Sequence, residues 1–332
     1  MRELGPGDVA EYLLHKGWLG PGPFMVQPLG WGVSNVVYRV ETPAGAVVLK
    51  QSRGQLRTRE AWFSDLSRIF REQEVLQTLF PLLPPPTVPE VLFVDRDNYV
   101  LIMRHAPPGC RVWKEALLAG ETDAGLAEWV GVILGRMHQA TAERAASLDF
   151  LAQRRVFVQL RVEPFYHRVA ERRPEVAEPV ARLVERLLSV RLALCHGDYS
   201  PKNILFRGHE FTLVDYETGH LGDPAMDLGF FLSHLVLKGL ARKPRQRDYW
   251  ELTRAFWRGY WSEARFQPRE QLLPWGIAHF GLCVLARVDG TSPVDYLGPV
   301  EKEQARKLGR AILLQASTEW EEVLAECERA IS

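Results

Sequence analysis

Hydrophobic residues change their spacing near residue 105. Upstream, short runs in which apolar and polar positions alternate are separated by turn residues, the period-two signature of half-buried strands. Met25 to Leu29, Ser34 to Val40 and Ala46 to Lys50 are divided by Gly30-Trp31-Gly32 and Thr42-Pro43-Ala44-Gly45, which predicts an antiparallel meander. Val91 to Val94 and Tyr99 to Met103 flank Asp95-Arg96-Asp97-Asn98 and add a hairpin, giving a five-stranded sheet. A short helix precedes the sheet, with Asp8 as its N-cap and Gly17 as its stop. A second helix is predicted from Arg59 to Phe80, where Trp62, Phe63, Leu66, Ile69, Phe70, Val75, Leu76 and Leu79 recur at near-helical spacing until a proline-rich run ends the pattern.

Beyond the break His105-Ala106-Pro107-Pro108-Gly109 the helical period takes over, with segments near 123–142, 155–171, 176–189, 224–240, 248–264, 268–287 and 299–329. The interruption lies at 192–215, where the apolar runs Leu192 to Cys195 and Phe211 to Val214 and a short strand Ile204 to Phe206 bracket polar loops. The pattern predicts an α+β chain of two lobes: residues 1–105, an antiparallel sheet with helix, a hinge at 103–109, and a larger, mostly helical lobe over 106–332.

The length of 332 residues suits two lobes around a cleft. With 46% hydrophobic and 25% charged residues, disorder, collagen and coiled coil are excluded. Lys plus Arg equals Asp plus Glu at 41 each, so no global field holds the chain on nucleic acid or an acidic membrane. The four cysteines show no CxxC zinc spacing and read as reduced thiols in a cytoplasm. Acids among the first residues argue against a signal peptide, and no run approaches 18 uninterrupted apolar residues, so no membrane segment is expected.

The polar loops of 192–215 carry the chemistry. Cys195-His196-Gly197-Asp198-Tyr199-Ser200-Pro201-Lys202-Asn203 is followed by Leu213-Val214-Asp215-Tyr216-Glu217, so an Asp, an Asn and a second Asp occupy consecutive loops between short strands. Mg²⁺ with nucleotide phosphates takes one or two carboxylates and a neutral oxygen, which Asp215 and Asn203 supply. Asp198 is left to accept or orient the proton of an attacking alcohol.

These residues resemble the aminoglycoside phosphotransferase and choline kinase family, the small-molecule branch of the protein-kinase-like fold, over a stretch from residue 24 to at least 240. Under that resemblance His196-Gly197-Asp198-Tyr199-Ser200-Pro201-Lys202-Asn203 is the catalytic loop, with Asp198 as base and Asn203 and Asp215 as metal ligands. The Asp215-Tyr216-Glu217 form is similar to the choline kinase and methylthioribose kinase versions, in which the glutamate, here Glu217, also serves the metal. The segment Gly222 to Phe231 is likewise similar to a methylthioribose kinase stretch. Gly30, Gly32, Val33, Ser34 and Asn35 would form the loop over the phosphates, and Lys50 would pair with them. Glu72 would be the partner of Lys50, in preference to Glu74. Met103 would wall the adenine pocket, with the Arg104 carbonyl and Ala106 N–H bonding the base. Arg287, ending a long helix, is the candidate on the acceptor side together with Asp198.

The resemblance therefore implies an ATP- and Mg²⁺-dependent kinase acting on a hydroxyl of a small molecule. A protein kinase is the first alternative, disfavoured because the chain passes from Glu217 to a helix start at Asp223 with no room for a long activation segment. A catalytically silent nucleotide-binding module is the second. Asp227, His196 and His138 read as structural groups. Trp250, Trp257, Trp261 and Trp275 read as core packing in preference to an aromatic cage, and the basic cluster at 242–247 reads as a solvated loop.

Overall fold

The runs with period-two alternation form a five-stranded antiparallel sheet in the order β1-β2-β3-β5-β4, with β1 Met25–Pro28, β2 Asn35–Thr42, β3 Gly45–Ser52, β4 Val91–Asp95 and β5 Val100–Arg104. The computed structural model describes the chain apart from residues 1–2, 21, 31–34, 55–63, 316 and 332. On one face of the sheet Val36, Tyr38, Val40, Val47, Leu49, Val100 and Ile102 pack with Leu4 and with Val9 and Leu13 of helix α1, Asp8–His15. Because successive strand residues point to opposite faces, Lys50 faces away from Leu49. It stands in register with Val37 of β2 and Leu101 of β5, on the side of helix α2, Arg68–Leu79. That helix buries Ile69, Val75, Leu76 and Leu79 completely.

Two local expectations change. Helix α2 begins at Arg68 and not at Arg59: residues 59–63 lie outside the described residues, and Ser64 to Ser67 turn. The Asp65 carboxylate accepts the Ser67 backbone N–H at 2.8 Å, offering the backbone an alternative to the helical ladder. Asp8 is the first helical residue, not the cap. Its carboxylate accepts from Gly5 N at 2.8 Å, and Gly7 holds the cap position. Gly17 does stop α1, at φ +65°, where Trp18 N reaches back to Leu13 O.

The sheet unit comprises Met1–Gly109 together with Thr212–Thr218, and a second unit comprises Cys110–Phe211 and Gly219–Ser332. A split at 105/106 would give residues 212–218 to the second unit. They belong to the first because Thr212 Oγ1 donates to Pro86 O at 2.9 Å and Leu213 N to Thr87 O at 2.8 Å.

In the second unit, the strand His220–Gly222 pairs antiparallel with Ala193–Cys195, and the rest is mostly helix. Helices Ala124–Ala142 and Gln246–Glu263 approach at glycine positions. A Cβ on Gly259 would lie 1.9 Å from Glu128 O, and one on Gly131 would lie 2.1 Å from Phe256 O. The helix Arg269–Asp289 is long and apolar enough to cross a membrane by composition, but it is a core element. Leu282, Cys283, Leu285 and Ala286 pack with Phe165, Val180, Met226 and Phe230. Trp250 and Trp257 are buried, and Trp257 stacks on Trp261 at 5.7 Å and meets Trp320 edge-on. The expected helix 155–171 is instead broken by wide i→i+5 turns over Val158–His167, which contain Pro164 and its missing N–H donor. The expected helix 299–329 is two helices, Pro299–Gln315 and Trp320–Ile331, because Glu322 accepts from the Thr318 and Glu319 backbone N–H groups and starts the second one.

Since the helix pair at Gly259 has no room for a methyl group, Gly259→Ala is expected to destabilise the protein by about 1–3 kcal/mol or more, measured as a lowered midpoint in urea unfolding. An unchanged midpoint would contradict this packing.

Candidate active site

In the sheet unit, one buried cluster gathers residues distant in sequence. Strand parity turns Lys50 toward α2, and helical spacing puts Arg68 and Glu72 one turn apart on the inward face of that helix. Lys50 Nζ donates to both Glu72 oxygens at 2.8 and 2.6 Å and to Asp215 Oδ1 at 3.1 Å. Burial works against the Lys50 ammonium, but the carboxylates of Glu72, Asp215 and Glu217 outweigh it and hold its pKa above the ordinary lysine value. Asp215 adopts φ +72°, in the left-handed region that Asp tolerates better than most residues, and its side chain keeps 25% exposure while Glu72 is closed off.

Glu217 lies within electrostatic reach of Lys50 and Glu72. Its Oε2 accepts from Asn35 Nδ2 at 2.8 Å and from Arg68 Nε at 3.2 Å. Arg68 also donates to Arg53 O at 2.7 Å and is fully buried. The Asn35 amide is thus engaged by Glu217. Lys50 and Arg68 meet the three carboxyl groups of Glu72, Asp215 and Glu217; burial pushes Glu72 up to about 7, and Asp215 is the most exposed of the three. Gly30 has open space where a Cβ would stand. Gly32, Val33 and Ser34 lie outside the described residues. Met103 is buried near the end of β5, and Arg104 is tied to Glu90 twice, by its side chain at 2.6 Å and by its backbone N–H, which donates to Glu90 O at 2.9 Å. Ala106 N has no hydrogen-bond acceptor among the described residues, so it is a donor available to a base.

In the second unit, Asp198 follows Gly197, whose φ of +75° lets the chain turn directly before the carboxylate. Asp227 organises that turn. Its Oδ2 accepts from His196 N at 2.7 Å, its Oδ1 from Gly197 N at 2.8 Å, and His138 Nε2 lies 3.3 Å away. Asn203 Nδ2 donates to the Asp198 carbonyl at 2.9 Å, which directs its own Oδ1 away as a neutral oxygen donor of the kind Mg²⁺ takes. Asp198 Oδ2 is met by Arg161 Nη2 at 2.8 Å and by Lys202 Nζ at 3.4 Å, and Arg161 Nε donates to Gly197 O at 2.7 Å. Arg287 rests over Phe165, the ring that Arg161 also covers, and donates to Ser292 Oγ at 3.4 Å.

Sequence reasoning missed Arg68 and Arg161. Arg68 had a usable signal, since it precedes Glu72 by one helical turn and shares its inward face. Arg161 had none. It sits in the wide turns of Val158–His167, where the α-helical phase that assigns faces no longer applies.

Residues 26–266 match the model of the phosphotransferase enzyme family. The chain is 24% identical to methylthioribose kinase of Geobacillus sp. (strain WCH70) over 89% of its own length and 87% of the relative's. It is 23% identical to that of Exiguobacterium sibiricum, over 79% of its own length and 75% of that protein's. Among solved structures it resembles the amicoumacin kinase hAmiN in complex with AMP-PNP, Ca²⁺ and Ami, with a TM-score of 0.59, 16% identity and 92% and 93% of the two chains covered. It also resembles a putative aminoglycoside phosphotransferase from Ralstonia eutropha, with a TM-score of 0.58, 18% identity and coverage of 96% and 98%.

The Asp227 carboxylate is held below the ordinary range: burial raises its pKa, but the bonds and charge from His138 and His196 overcome it. A depressed carboxylate contributes stability that is present above its unfolded pKa and lost as pH falls through the folded one. Asp227→Asn is therefore expected to cost about 3 kcal/mol at pH 7. The gap from the parent should narrow as pH drops below about 4, read by denaturant unfolding across pH. A gap constant with pH would refute this role.

Proposed function

The chain belongs to the phosphotransferase enzyme family and is a small-molecule kinase of the α+β, protein-kinase-like fold, and we propose a specific division of labour among its residues. The observation that carries the proposal is the meeting of Lys50, Glu72 and Asp215, which come from a strand end, a helix and a loop. A buried ammonium held by one enclosed carboxylate and one accessible carboxylate is suited to steady the α/β-phosphates of ATP beside a divalent ion.

Lys50 binds the phosphates, and Glu72 fixes the position of its Nζ. Gly30, Gly32, Val33, Ser34 and Asn35 serve the phosphates as well. Met103 walls the base, and the Arg104 carbonyl and Ala106 N–H bond it. Asp215 and Asn203 would hold Mg²⁺, which when bound would neutralise charge on the phosphates. Glu217 acts one step back: through Asn35 and Arg68 it ties the start of β2 to α2. Asp198 accepts the acceptor hydroxyl proton, and Arg161 with Lys202 fixes the direction of that carboxylate. Arg287 serves the acceptor.

Neither a protein kinase nor a silent nucleotide-binding module is favoured by any observation. Beyond Glu217 the chain is consumed by the strand His220–Gly222, paired with Ala193–Cys195, before the helix at Pro224 begins.

Two outcomes test the assignment. Asp198→Asn is expected to lower kcat about 10²- to 10⁴-fold, followed by coupled ADP release with a verified acceptor, and near-parental kcat would overturn its role as base. Lys50→Met is expected to raise the KM for ATP at least about tenfold, and an unchanged KM and kcat would remove Lys50 from the nucleotide site.

A further inference from the structure

Lys238 lies one turn after His234 on the helix Pro224–Ala241 and is 1% exposed. A buried lysine ordinarily has a carboxylate partner. This one donates to His234 O at 3.1 Å and sits 5.4 Å from the centre of the Tyr296 ring, and neither it nor Arg287 forms an ion pair among the described residues. Arg287 Nε and Tyr296 Oη are both buried with no hydrogen-bond partner.

These donors belong to one neighbourhood. The His234 ring packs on Phe230 at 5.0 Å. Arg161 lies 5.6 Å over that same Phe230 and 5.6 Å over Phe165, and Arg287 lies 5.9 Å over Phe165. Arg161 contacts Asp198, and Arg287 is within electrostatic reach of it. Arg161 and Lys202 thus hold the Asp198 carboxylate at close range, whereas Arg287 and Lys238, within electrostatic reach of each other, have no carboxylate of their own among the described residues. A fold that leaves buried cations and hydroxyls unanswered loses stability unless a ligand answers them.

We propose that the phosphoryl acceptor is an anion: besides its reacting hydroxyl it carries an oxyanion, a carboxylate or a phosphate, that binds Lys238, Arg287 and Tyr296. The inference rests on the kinase reading and adds the charge class of the acceptor. The acceptor O–H gives its proton to Asp198, its oxygen forms a P–O bond to the γ-phosphorus, and the bond from that phosphorus to the ADP oxygen breaks. The products are ADP, the phosphate ester and a proton. Burial first, then repulsion from Lys114 and Arg287, holds the Lys238 pKa well below the ordinary lysine value, the condition an arriving anion relieves. The same surroundings are unsuited to a polycationic acceptor.

The test uses the full chain with Mg·ATP and matched acceptors: glycerate against glycerol, gluconate against glucitol, and glucose 6-phosphate against glucose. ADP release is expected to favour the anionic member of at least one pair by about tenfold or more in kcat/KM. The first two pairs report a carboxylate and the third a phosphate. Lys238→Met and Arg287→Met should each abolish most of that preference through KM, and Tyr296→Phe supplies the reading should either fail to fold. A preference for the neutral member in every pair, or a preference untouched by all three variants, would overturn the proposal. Calorimetric titration of glycerate, gluconate and glucose 6-phosphate without nucleotide separates the two readings. Saturable binding that weakens in Lys238→Met supports the anion site even without turnover, and absence of binding overturns it. The kinase reading itself fails only when Mg·ATP neither raises the Tm nor yields ADP with any acceptor.

Discussion

The sheet unit depends on placing an ammonium where little water reaches it. Lys50 stands on a central strand in a closed environment, and its charge is tolerable because Glu72 and Asp215 lie within 3.1 Å. Removing either partner would leave an uncompensated buried charge, which costs far more than the pair itself contributes. This requirement reaches outward. It fixes the rotation of α2, which must present Glu72, and it recruits Thr212–Thr218 into a unit that is otherwise complete at Gly109.

Asp227 plays the corresponding part in the second unit, but through the backbone. Two consecutive N–H groups, of His196 and Gly197, point at one carboxylate, so the peptide planes ahead of Asp198 are fixed before any ligand arrives. Buried His138 backs that carboxylate and itself meets Tyr260 Oη at 3.0 Å. The turn before Asp198 is thereby anchored to helices that meet at glycine contacts too close for side chains, and its position derives from packing several residues away. The two carboxylates of the turn thus differ by surroundings: Asp227 is enclosed and answered by donors, whereas Asp198 is answered by the side chains of Arg161 and Lys202.

Charge is distributed unevenly in a way the neutral total conceals. The Lys50 cluster sets the three carboxyl groups of Glu72, Asp215 and Glu217 against the two cations Lys50 and Arg68. Around Asp198 the balance reverses: Arg161 and Lys202 contact its carboxylate, Arg287 lies within electrostatic reach, and Lys238 stands within reach of Arg287. A net charge of zero is therefore compatible with two sites of opposite sign, and whole-chain charge is a poor guide to which small molecule is bound.

Much of this arrangement is legible in the amino-acid sequence. The sheet strands follow from alternation, because a strand with one buried face must repeat every second residue. Lys50, Glu72, Asp198, Asn203 and Asp215 stand out because the family resemblance picks out those residue types in that order, and local spacing preserves order. Boundaries and partners do not follow. The start of α2 depends on Asp65 bonding its own backbone, and the break at Glu322 on a competing cap, both small energies that hydrophobic period does not record. The phase of Val158–His167, the burial of Arg68 and the isolation of Lys238 are decided only in three dimensions. A side chain's partners are chosen by which distant segments reach it, and a one-dimensional pattern encodes which face a residue takes but not what arrives on that face.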